Sequence, residues 1–238
     1  MLVEKCLYRC FDCLGDAWLY GLDIILNSGR EVVDTDVRKK DIRLSDGDDL
    51  ATYYDERTKK ISLKLREING YHITIKNASM DDDVIVKYAD KNRIDYTIMR
   101  YGKDCGEGGY GEFLRGKNDE NIEQIVNKIA QNKYSKSSII ISPNSWCGNF
   151  GKAPCLTAVD FIVRDNALKM FVLYRSQNVY TKQPGNLIAL SMLQAEIANK
   201  LNIKKGELEL FVCSAHIYEC DYSRVEKILK DSGYYGRK

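Results

Sequence analysis

The sequence predicts an α/β (α+β) fold in which helices flank one mixed β-sheet. Apolar residues recur at helical spacing in 15–28 and 187–201, and they alternate as in strands in 156–164 and 168–176. No repeat or linker interrupts this mixture of helical and strand segments. Such a chain is typical of one sheet packed against helices, and its length suits a single domain over residues 1–238.

Helices are expected where apolar side chains recur every three or four residues. In the first of them Trp18, Leu22 and Ile25 share one face, and Gly29 ends the helix. The acidic run 81–83 indicates a further helix N-terminus, because the helix dipole favours carboxylates there. The predicted longer helices are 15–28, 119–132, 187–201 and 221–231.

Strands and hairpin turns are expected between these helices. Asn69-Gly70, within residues 60–76, predicts one hairpin turn, and Asp165-Asn166 predicts a second, between the strands 156–164 and 168–176. The isoleucines of Ser138–Ser142 indicate a short buried strand, and residues 207–218 form a further predicted strand.

Composition argues against several classes of protein. The net charge is +2 and the isoelectric point is about 8.0, whereas a nucleic-acid binder usually carries a larger, clustered positive excess. We therefore expect no nucleic-acid partner. No apolar run is long enough for a membrane span and no signal peptide precedes the first helix, so we expect a cytoplasmic protein without a membrane partner. Its eight cysteines are then expected to be thiols, ligands or nucleophiles.

Four short segments carry residues suited to nucleotide chemistry. Cys155 could act as a thiolate nucleophile, which a nearby arginine such as Arg175 would activate. The planar arginine fork also suits a phosphate, and the amide of Asn186 can match the edge of a pyrimidine. His216 and Tyr218 are two residues apart on a strand and so point to one side. The segments are Ala-Pro-Cys-Leu-Thr at 153–157, Tyr-Arg-Ser at 174–176, Pro-Gly-Asn at 184–186 and Ala-His-Ile-Tyr at 215–218.

The order and spacing of these segments resemble the thymidylate synthase family. The resemblance continues upstream, where Tyr110–Arg115 is similar to the family's Tyr-Gly-x-x-x-Arg and Ile122–Ile125 to its Ile-Asp-Gln-Ile. It covers residues 105–220 well. The first 100 residues match more loosely, and most closely the short archaeal-type members. Each motif is weak alone, and the ordered set carries the resemblance.

The resemblance implies a homodimer with a mixed sheet, flanking helices and an active site near the subunit interface. Its substrate would be a pyrimidine nucleoside monophosphate, and its cofactor 5,10-methylenetetrahydrofolate or a related pterin. Cys155 would attack C6 of the base, and C5 would accept the one-carbon group. The other implied roles are phosphate binding for Arg175, Ser176 and Arg38, base recognition for Asn186, sugar binding for His216 and Tyr218, and proton management near C5 for Tyr110.

Several residues depart from the family pattern. Ser137 and Ser138 stand where the family has two arginines that the partner subunit gives to the phosphate. Lys136, just before them, can supply the charge without the bidentate fork. Asn178 replaces the aspartate that contacts the pterin, so it is the predicted cofactor-binding residue. The candidates for the family's catalytic glutamate are Glu67 and Glu112.

The favoured reaction is methylation of dUMP to dTMP. Three further interpretations remain open. The first is hydroxymethylation of dCMP or CMP, because the departures indicate a looser site that admits water. The second is a non-catalytic nucleotide-binding relative, against which Cys155 and Arg175 argue. The third is an iron–sulfur site at Cys6, Cys10 and Cys13, although a cysteine-rich strand is the favoured interpretation of that spacing and no metal site is predicted.

Overall fold

The structure, a computed structural model, describes residues 8–35, 54–55, 60–79, 81–142 and 154–236. Arg38 and Cys6 lie outside these residues. The described strands are β1 (Tyr8–Cys13), β2 (Arg30–Asp34), β3 (Tyr54–Asp55), β4 (Lys60–Ile61), β5 (Leu63–Asn77), β6 (Ile139–Ile141), β7 (Leu156–Arg164), β8 (Ala167–Tyr174), β9 (Gln177–Asn178) and β10 (Lys204–Tyr218). The described helices are α1 (Leu14–Ser28), α2 (Asp83–Tyr88), α3 (Lys91–Tyr101), α4 (Tyr110–Arg115), α5 (Glu120–Gln131), α6 (Gln183–Lys200) and α7 (Tyr222–Asp231).

A mixed sheet organises the described part of the chain, in the order β1-β5-β10-β8-β7-β6. β10 runs antiparallel to β5 and parallel to β8, and β7 is antiparallel to β8. β2 adds to β5, and β9 adds to β10. The predicted fold class, a mixed sheet with flanking helices, is confirmed.

The second predicted hairpin is confirmed. β7 and β8 are joined by Asp165 and Asn166, whose φ angles are 52° and 59°. A two-residue turn that matches the twist of its strands needs this left-handed conformation twice, and Asp and Asn tolerate it better than most residues. The hairpin places the start of β7 beside the end of β8.

The first predicted hairpin, at Asn69-Gly70, is wrong. β5 continues through this dipeptide, and β10 pairs with it from Leu208, opposite Ile75, to Tyr218, opposite Leu65. On its other edge β5 changes partner here, from β2 to β1. Gly70 has a left-handed φ of 71°, but the long-range pairing of its neighbours outweighs the local preference for a turn.

The predicted buried strand at residues 138–142 is correct in position and wrong in burial. Ile140 is buried, whereas Ile139 and Ile141 are 42% and 54% exposed. β6 pairs with β7 at the end of the sheet order, and alternate side chains of a strand face opposite sides of the sheet. Two isoleucines therefore face away from the core.

The four predicted longer helices agree with the structure, except that α6 begins four residues earlier than expected, whereas α3 and α4 were not predicted. Pro184, Gly185 and Asn186 consequently lie in the first turn of a helix, where proline is well tolerated. A Cβ on Gly185 would come within 2.8 Å of Cβ of Thr97, so the glycine allows α3 to approach α6 closely. This approach brings the end of α3 towards Asn186.

The core lies between the sheet and the helices α1 and α6. Trp18 and Leu190 on these helices are fully buried, as are Tyr71 and Leu210 on the strands that they cover. On the other face of the sheet Phe211 is 40% exposed. Among the described residues, no helix is long and apolar enough to cross a membrane.

The acidic run at residues 81–83 does mark a helix N-terminus, as predicted. Asp82 caps α2, and its carboxylate accepts hydrogen bonds from the backbone N–H groups of Val84 (3.0 Å) and Ile85 (3.2 Å). It also accepts one from the N–H of Gly15 at 2.8 Å, in the first turn of α1. One carboxylate therefore satisfies donors at the N-termini of two helices.

Replacing Asp82 with alanine is expected to lower the free energy of unfolding by about 2 kcal/mol, because three backbone donors lose their acceptor. Urea denaturation measures this change. The control is Asp83→Ala, at the exposed neighbouring position, which is expected to cost about 0.5 kcal/mol through the helix dipole alone. Equal losses in the two variants would show that the cap does not join α1 to α2.

Candidate active site

The β7–β8 hairpin brings Cys155 and Arg175 together. The backbone N–H of Arg175 donates to the carbonyl oxygen of Cys155 at 2.9 Å, and its Nε donates to the carbonyl oxygen of Pro154 at 3.2 Å. Cys155 is partly buried, and Arg175 is exposed. The guanidinium thus lies against the cysteine segment with access to solvent, as an anionic ligand would require.

A second group forms where β9 pairs with β10. Asn178 is the register partner of His216, and Ser176 Oγ lies 3.5 Å from His216 Nδ1. The rings of His216 and Tyr218 are 5.1 Å apart, so the two side chains share one side of the strand as the spacing predicts. The hydroxyl of Tyr218 donates to Asp34 Oδ2 at 3.2 Å.

Tyr110 contacts the cysteine segment from the first turn of α4. Burial raises the pKa of Tyr110, although hydrogen bonds with the backbone of Leu156 and Cys155 act in the opposite direction. A phenol with a raised pKa is neutral at physiological pH. Tyr110 can therefore hydrogen-bond or relay a proton beside Cys155, but it is not a phenolate base.

Asn186 is almost completely buried and has a partner that the sequence analysis missed. The hydroxyl of Tyr101 donates to Asn186 Oδ1 at 3.2 Å and also hydrogen-bonds the hydroxyl of Tyr174. The ring of Tyr101 lies 5.0 Å from that of Tyr110. Nothing in the spacing of residues 101, 110 and 174 indicates this cluster, although Tyr174 directly precedes Arg175.

Arg115 holds Tyr101 in place through the backbone. Its Nε donates to the carbonyl oxygen of Tyr101 at 3.3 Å, its Nη1 to Asp119 Oδ1 at 2.8 Å, and its Nη2 to Glu196 Oε2 at 2.6 Å. Lys103 also pairs with Asp119. One guanidinium therefore links the end of α3 to the start of α5 and to α6, a role that the Tyr-Gly-x-x-x-Arg pattern alone did not reveal.

Asn178 is buried in the turn that leads to α6. Its Oδ1 accepts a hydrogen bond from the backbone N–H of Thr181 at 3.0 Å. Its Nδ2 and Oγ1 of Thr181 are buried without a hydrogen-bond partner in the described part of the chain. The Asn178 side chain thus stabilises the turn through Oδ1, and its Nδ2 donor is unused among the described residues.

Lys136 does not join these residues within one subunit. It is exposed in the connection between α5 and β6. Two residues further on, the carbonyl oxygen of Ser138 accepts a hydrogen bond from the N–H of Phe161, six positions along the chain from Cys155. At the rise of a β-strand these six positions span about 20 Å.

The two candidate glutamates differ in their surroundings. Glu67 on β5 is opposite His216 in the register and accepts a hydrogen bond from Ser214 Oγ at 2.6 Å. Glu112 is exposed and accepts one from the backbone N–H of Gly108 at 2.9 Å, within its own loop. Of the two, Glu67 lies beside a predicted substrate-binding residue.

The geometry of β1 disagrees with an iron–sulfur site. Cys10 and Cys13 are three positions apart on one strand, so their side chains point to opposite faces. Burial raises the pKa of the Cys13 thiol to about 11, which keeps it neutral rather than a thiolate ligand. The favoured interpretation, a cysteine-rich strand, is confirmed for the described residues 8–13.

A thiol lies beside an arginine, with an amide, a histidine and a serine at the same end of the sheet, and this set of groups is typical of an enzyme that uses nucleophilic catalysis. The profile of the family described as Thymidylate synthase matches residues 62–235. A Methanosarcina barkeri protein described as "Putative thymidylate synthase" is 30% identical over 224 residues, which cover 91% of this chain and 92% of that protein. A protein of the same description from Methanococcoides burtonii is 28% identical over 225 residues, with the same shares covered.

The chain therefore belongs to the thymidylate synthase family, as the resemblance indicated. It is an enzyme of the type that transfers a one-carbon unit to a pyrimidine nucleotide, and the family uses a folate of the methylenetetrahydrofolate type.

The Arg115 network predicts a pH dependence of stability. Burial by itself would raise the pKa of Asp119, but hydrogen bonds from Lys103 and Arg115 outweigh it and lower the pKa below its ordinary value. A lowered pKa stabilises the folded state above the unfolded value, about 4, and this contribution is lost as the pH falls through the folded pKa.

Replacing Asp119 with asparagine, which tolerates its left-handed backbone, is expected to lower the free energy of unfolding by about 2 kcal/mol at pH 7. The difference from wild type should shrink as the pH falls below about 4 and through the lowered pKa of Asp119, because the carboxylate is then protonated. Denaturation at several pH values measures it. Asp95→Asn is the control, because Asp95 forms an exposed ion pair with Lys91 and should change stability by less than about 1 kcal/mol. A pH-independent loss in Asp119→Asn would exclude the ionic contribution.

Proposed function

We propose that this enzyme methylates dUMP to dTMP with 5,10-methylenetetrahydrofolate or a related pterin as the carbon donor. The observation that carries the proposal is the buried amide of Asn186, which lies in the same cluster as the Cys155 segment through Tyr101 and Tyr110. An amide offers a donor for O4 and an acceptor for N3–H of uracil. Nucleophile and base recognition are thus a few side chains apart.

Cys155 begins the reaction in this proposal. Its thiolate forms a bond to C6 of the pyrimidine, and the C5–C6 π electrons move towards C5 and O4. Arg175 lies against the cysteine segment, and the amide of Asn186 stabilises the charge that develops on O4. C5 is then the nucleophile for the one-carbon group, and Tyr110, neutral and beside the cysteine, relays protons near C5.

Phosphate and sugar are bound on the exposed side of the cysteine. Arg175 and Ser176 bind the phosphate. Arg38, which lies outside the described residues, has the same proposed role. His216 and Tyr218 face one side of β10 and bind a sugar hydroxyl. The partial exposure of Arg175 supports this assignment, because a nucleotide phosphate enters from solvent.

The described residues suit a pterin. The unpaired Nδ2 of Asn178 and the unpaired Oγ1 of Thr181 can hydrogen-bond its acceptor atoms. The folate supplies the methylene carbon and, for a methyl product, the hydride.

We also propose a homodimer in which Lys136 serves the phosphate of the partner's site. Within one subunit Lys136 is too far from Cys155 to do so. The sheet face opposite the helices offers a surface for a second copy, because it exposes Ile139, Ile141 and Phe211.

Tritium release from C5-labelled dUMP in the presence of methylenetetrahydrofolate, with the mass of the product, tests the reaction. Wild type is expected to release tritium and form dTMP. Cys155→Ala should abolish release, because no adduct at C6 can form. Cys10→Ala is the matched control, since it removes an exposed thiol on β1, and should retain full activity. A fully active Cys155→Ala variant would favour a different mechanism, and no release from any pyrimidine nucleotide would favour a non-catalytic binder.

A second candidate function is hydroxymethylation of dCMP or CMP. Asn178 favours it, because an unpaired amide donor stands where the family has a carboxylate for the pterin, and looser cofactor binding would let water complete the product. In the same assay this function would give tritium release from a cytosine nucleotide and a hydroxymethylated product.

Mixing two inactive variants tests the shared site. Cys155→Ala and Lys136→Ala should each have little activity at low nucleotide concentration. After subunit exchange the mixture should regain about one quarter of the wild-type activity, because half of the dimers are hybrids and each hybrid has one intact site. Exchange without any gain would show that Lys136 does not act across the interface.

A further inference from the structure

We infer that Tyr101 is a positioning residue that fixes the orientation of the Asn186 amide, so that the site selects a pyrimidine with a carbonyl oxygen at C4 over one with an amino group there. This inference rests on the proposed function and deepens it, because it names the residue that orients the base-recognising amide.

The three side chains form one buried chain of hydrogen bonds. Tyr101, Tyr174 and Asn186 are each at most 5% exposed. The Tyr101 hydroxyl lies between the other two groups, 3.2 Å from Asn186 Oδ1 and in hydrogen-bond contact with the Tyr174 hydroxyl. The Tyr174 hydroxyl has no other hydrogen-bond partner in the described part of the chain.

The protons of this chain have one order that satisfies every group. Burial raises the pKa of Tyr101 and of Tyr174 well above the usual value, so each hydroxyl carries its one proton. If Tyr174 donates to Tyr101 and Tyr101 donates to Asn186 Oδ1, both protons are used. If the amide is turned so that Nδ2 donates to Tyr101, Tyr101 must donate to Tyr174, whose own proton then has no acceptor.

The second arrangement is disfavoured, because it leaves a buried donor without a partner. The first is therefore the stable one, and it directs Nδ2 of Asn186 away from the tyrosines. Asn186 Oδ1 keeps its second lone pair. The amide can then donate from Nδ2 to a C4 carbonyl and accept an N3–H at Oδ1, which is the pattern of uracil. A C4 amino group would meet Nδ2 as donor against donor.

The surroundings of Tyr101 oppose a reversal of this order. Arg115 fixes its backbone carbonyl, and the Tyr110 ring packs edge-on against its ring. Gly185 removes the side chain that would separate α3 from α6. The hydroxyl of Tyr101 is thus held at Asn186 by contacts with two other elements, α4 and α6.

The test is the ratio of the affinities for dUMP and dCMP, measured by calorimetry on the full-length protein without folate. Wild type should prefer dUMP. Tyr101→Phe should reduce the preference about tenfold, because no hydroxyl then contacts the amide and turning it leaves no further donor without a partner. Tyr174→Phe keeps Tyr101 as the donor to Asn186 Oδ1, and turning the amide would then leave the Tyr101 proton without an acceptor, so this variant should keep the wild-type preference. The ratio of kcat/KM values for the two nucleotides should follow the same order.

Tyr71→Phe is the matched control. Its hydroxyl is fully buried, 3.5 Å from the carbonyl oxygen of Ala17 and separate from this chain of hydrogen bonds, so its loss should leave the ratio unchanged. If Tyr101→Phe does not fold, Tyr174→Phe carries the test, because loss of the preference in that variant would show that Tyr101 does not orient the amide.

The outcomes separate this inference from the proposed function. A folded Tyr101→Phe variant that binds the two nucleotides with the wild-type ratio, or a folded Tyr174→Phe variant that loses the preference, would overturn the inference and leave dUMP as the substrate. A wild type that prefers dCMP would overturn the assigned orientation of the amide. A wild type that binds neither nucleotide would overturn the proposed function, and the inference with it.

Discussion

The pairing of β10 along both of its edges is the constraint on which the rest of the structure depends. One edge pairs with β5 from Leu208 to Tyr218, and the other pairs with β8 and then β9. β8 in turn fixes β7 through a two-residue turn. Because these registers are continuous or shifted at defined positions, the segments of Cys155, Arg175, Ser176 and His216 all reach the same end of the sheet. Backbone hydrogen bonds between the strands therefore bring the segments of the site together.

The helices complete the site by bringing buried polar groups to that end. α6 carries Asn186 in its first turn, and α3 carries Tyr101 as its last residue. The two helices approach closely at Gly185, and Arg115 ties them to α4. A buried hydroxyl or amide is tolerated when its partner is present, and one missing partner in such a network is costly. The same network therefore contributes to stability and holds the Asn186 amide through Tyr101.

Much of the fold and of the candidate site could be predicted from local sequence patterns. The β7–β8 hairpin was predictable because Asp165-Asn166 is a strong turn signal and both flanking segments alternate. No local signal excluded a hairpin at Asn69-Gly70. The hairpin is absent because β5 pairs with β10, which lies more than 130 positions along the chain from this dipeptide. Likewise, no local pattern links Tyr101 to Tyr174 among the 16 tyrosines of the sequence, and only packing brings them to Asn186.

The sequence by itself determined the class of fold and the ordered motifs of the family, because periodicity, turn chemistry and spacing are properties of short segments. It also determined that a thiol, an arginine, an amide and a histidine would be available. The tertiary structure alone decided that Arg175 lies against the cysteine segment, that Lys136 is remote from it, and that the Asn186 amide has a buried partner. The physical reason is that these distances depend on strand register and on helix–helix approach, which are fixed by contacts between residues far apart in the chain.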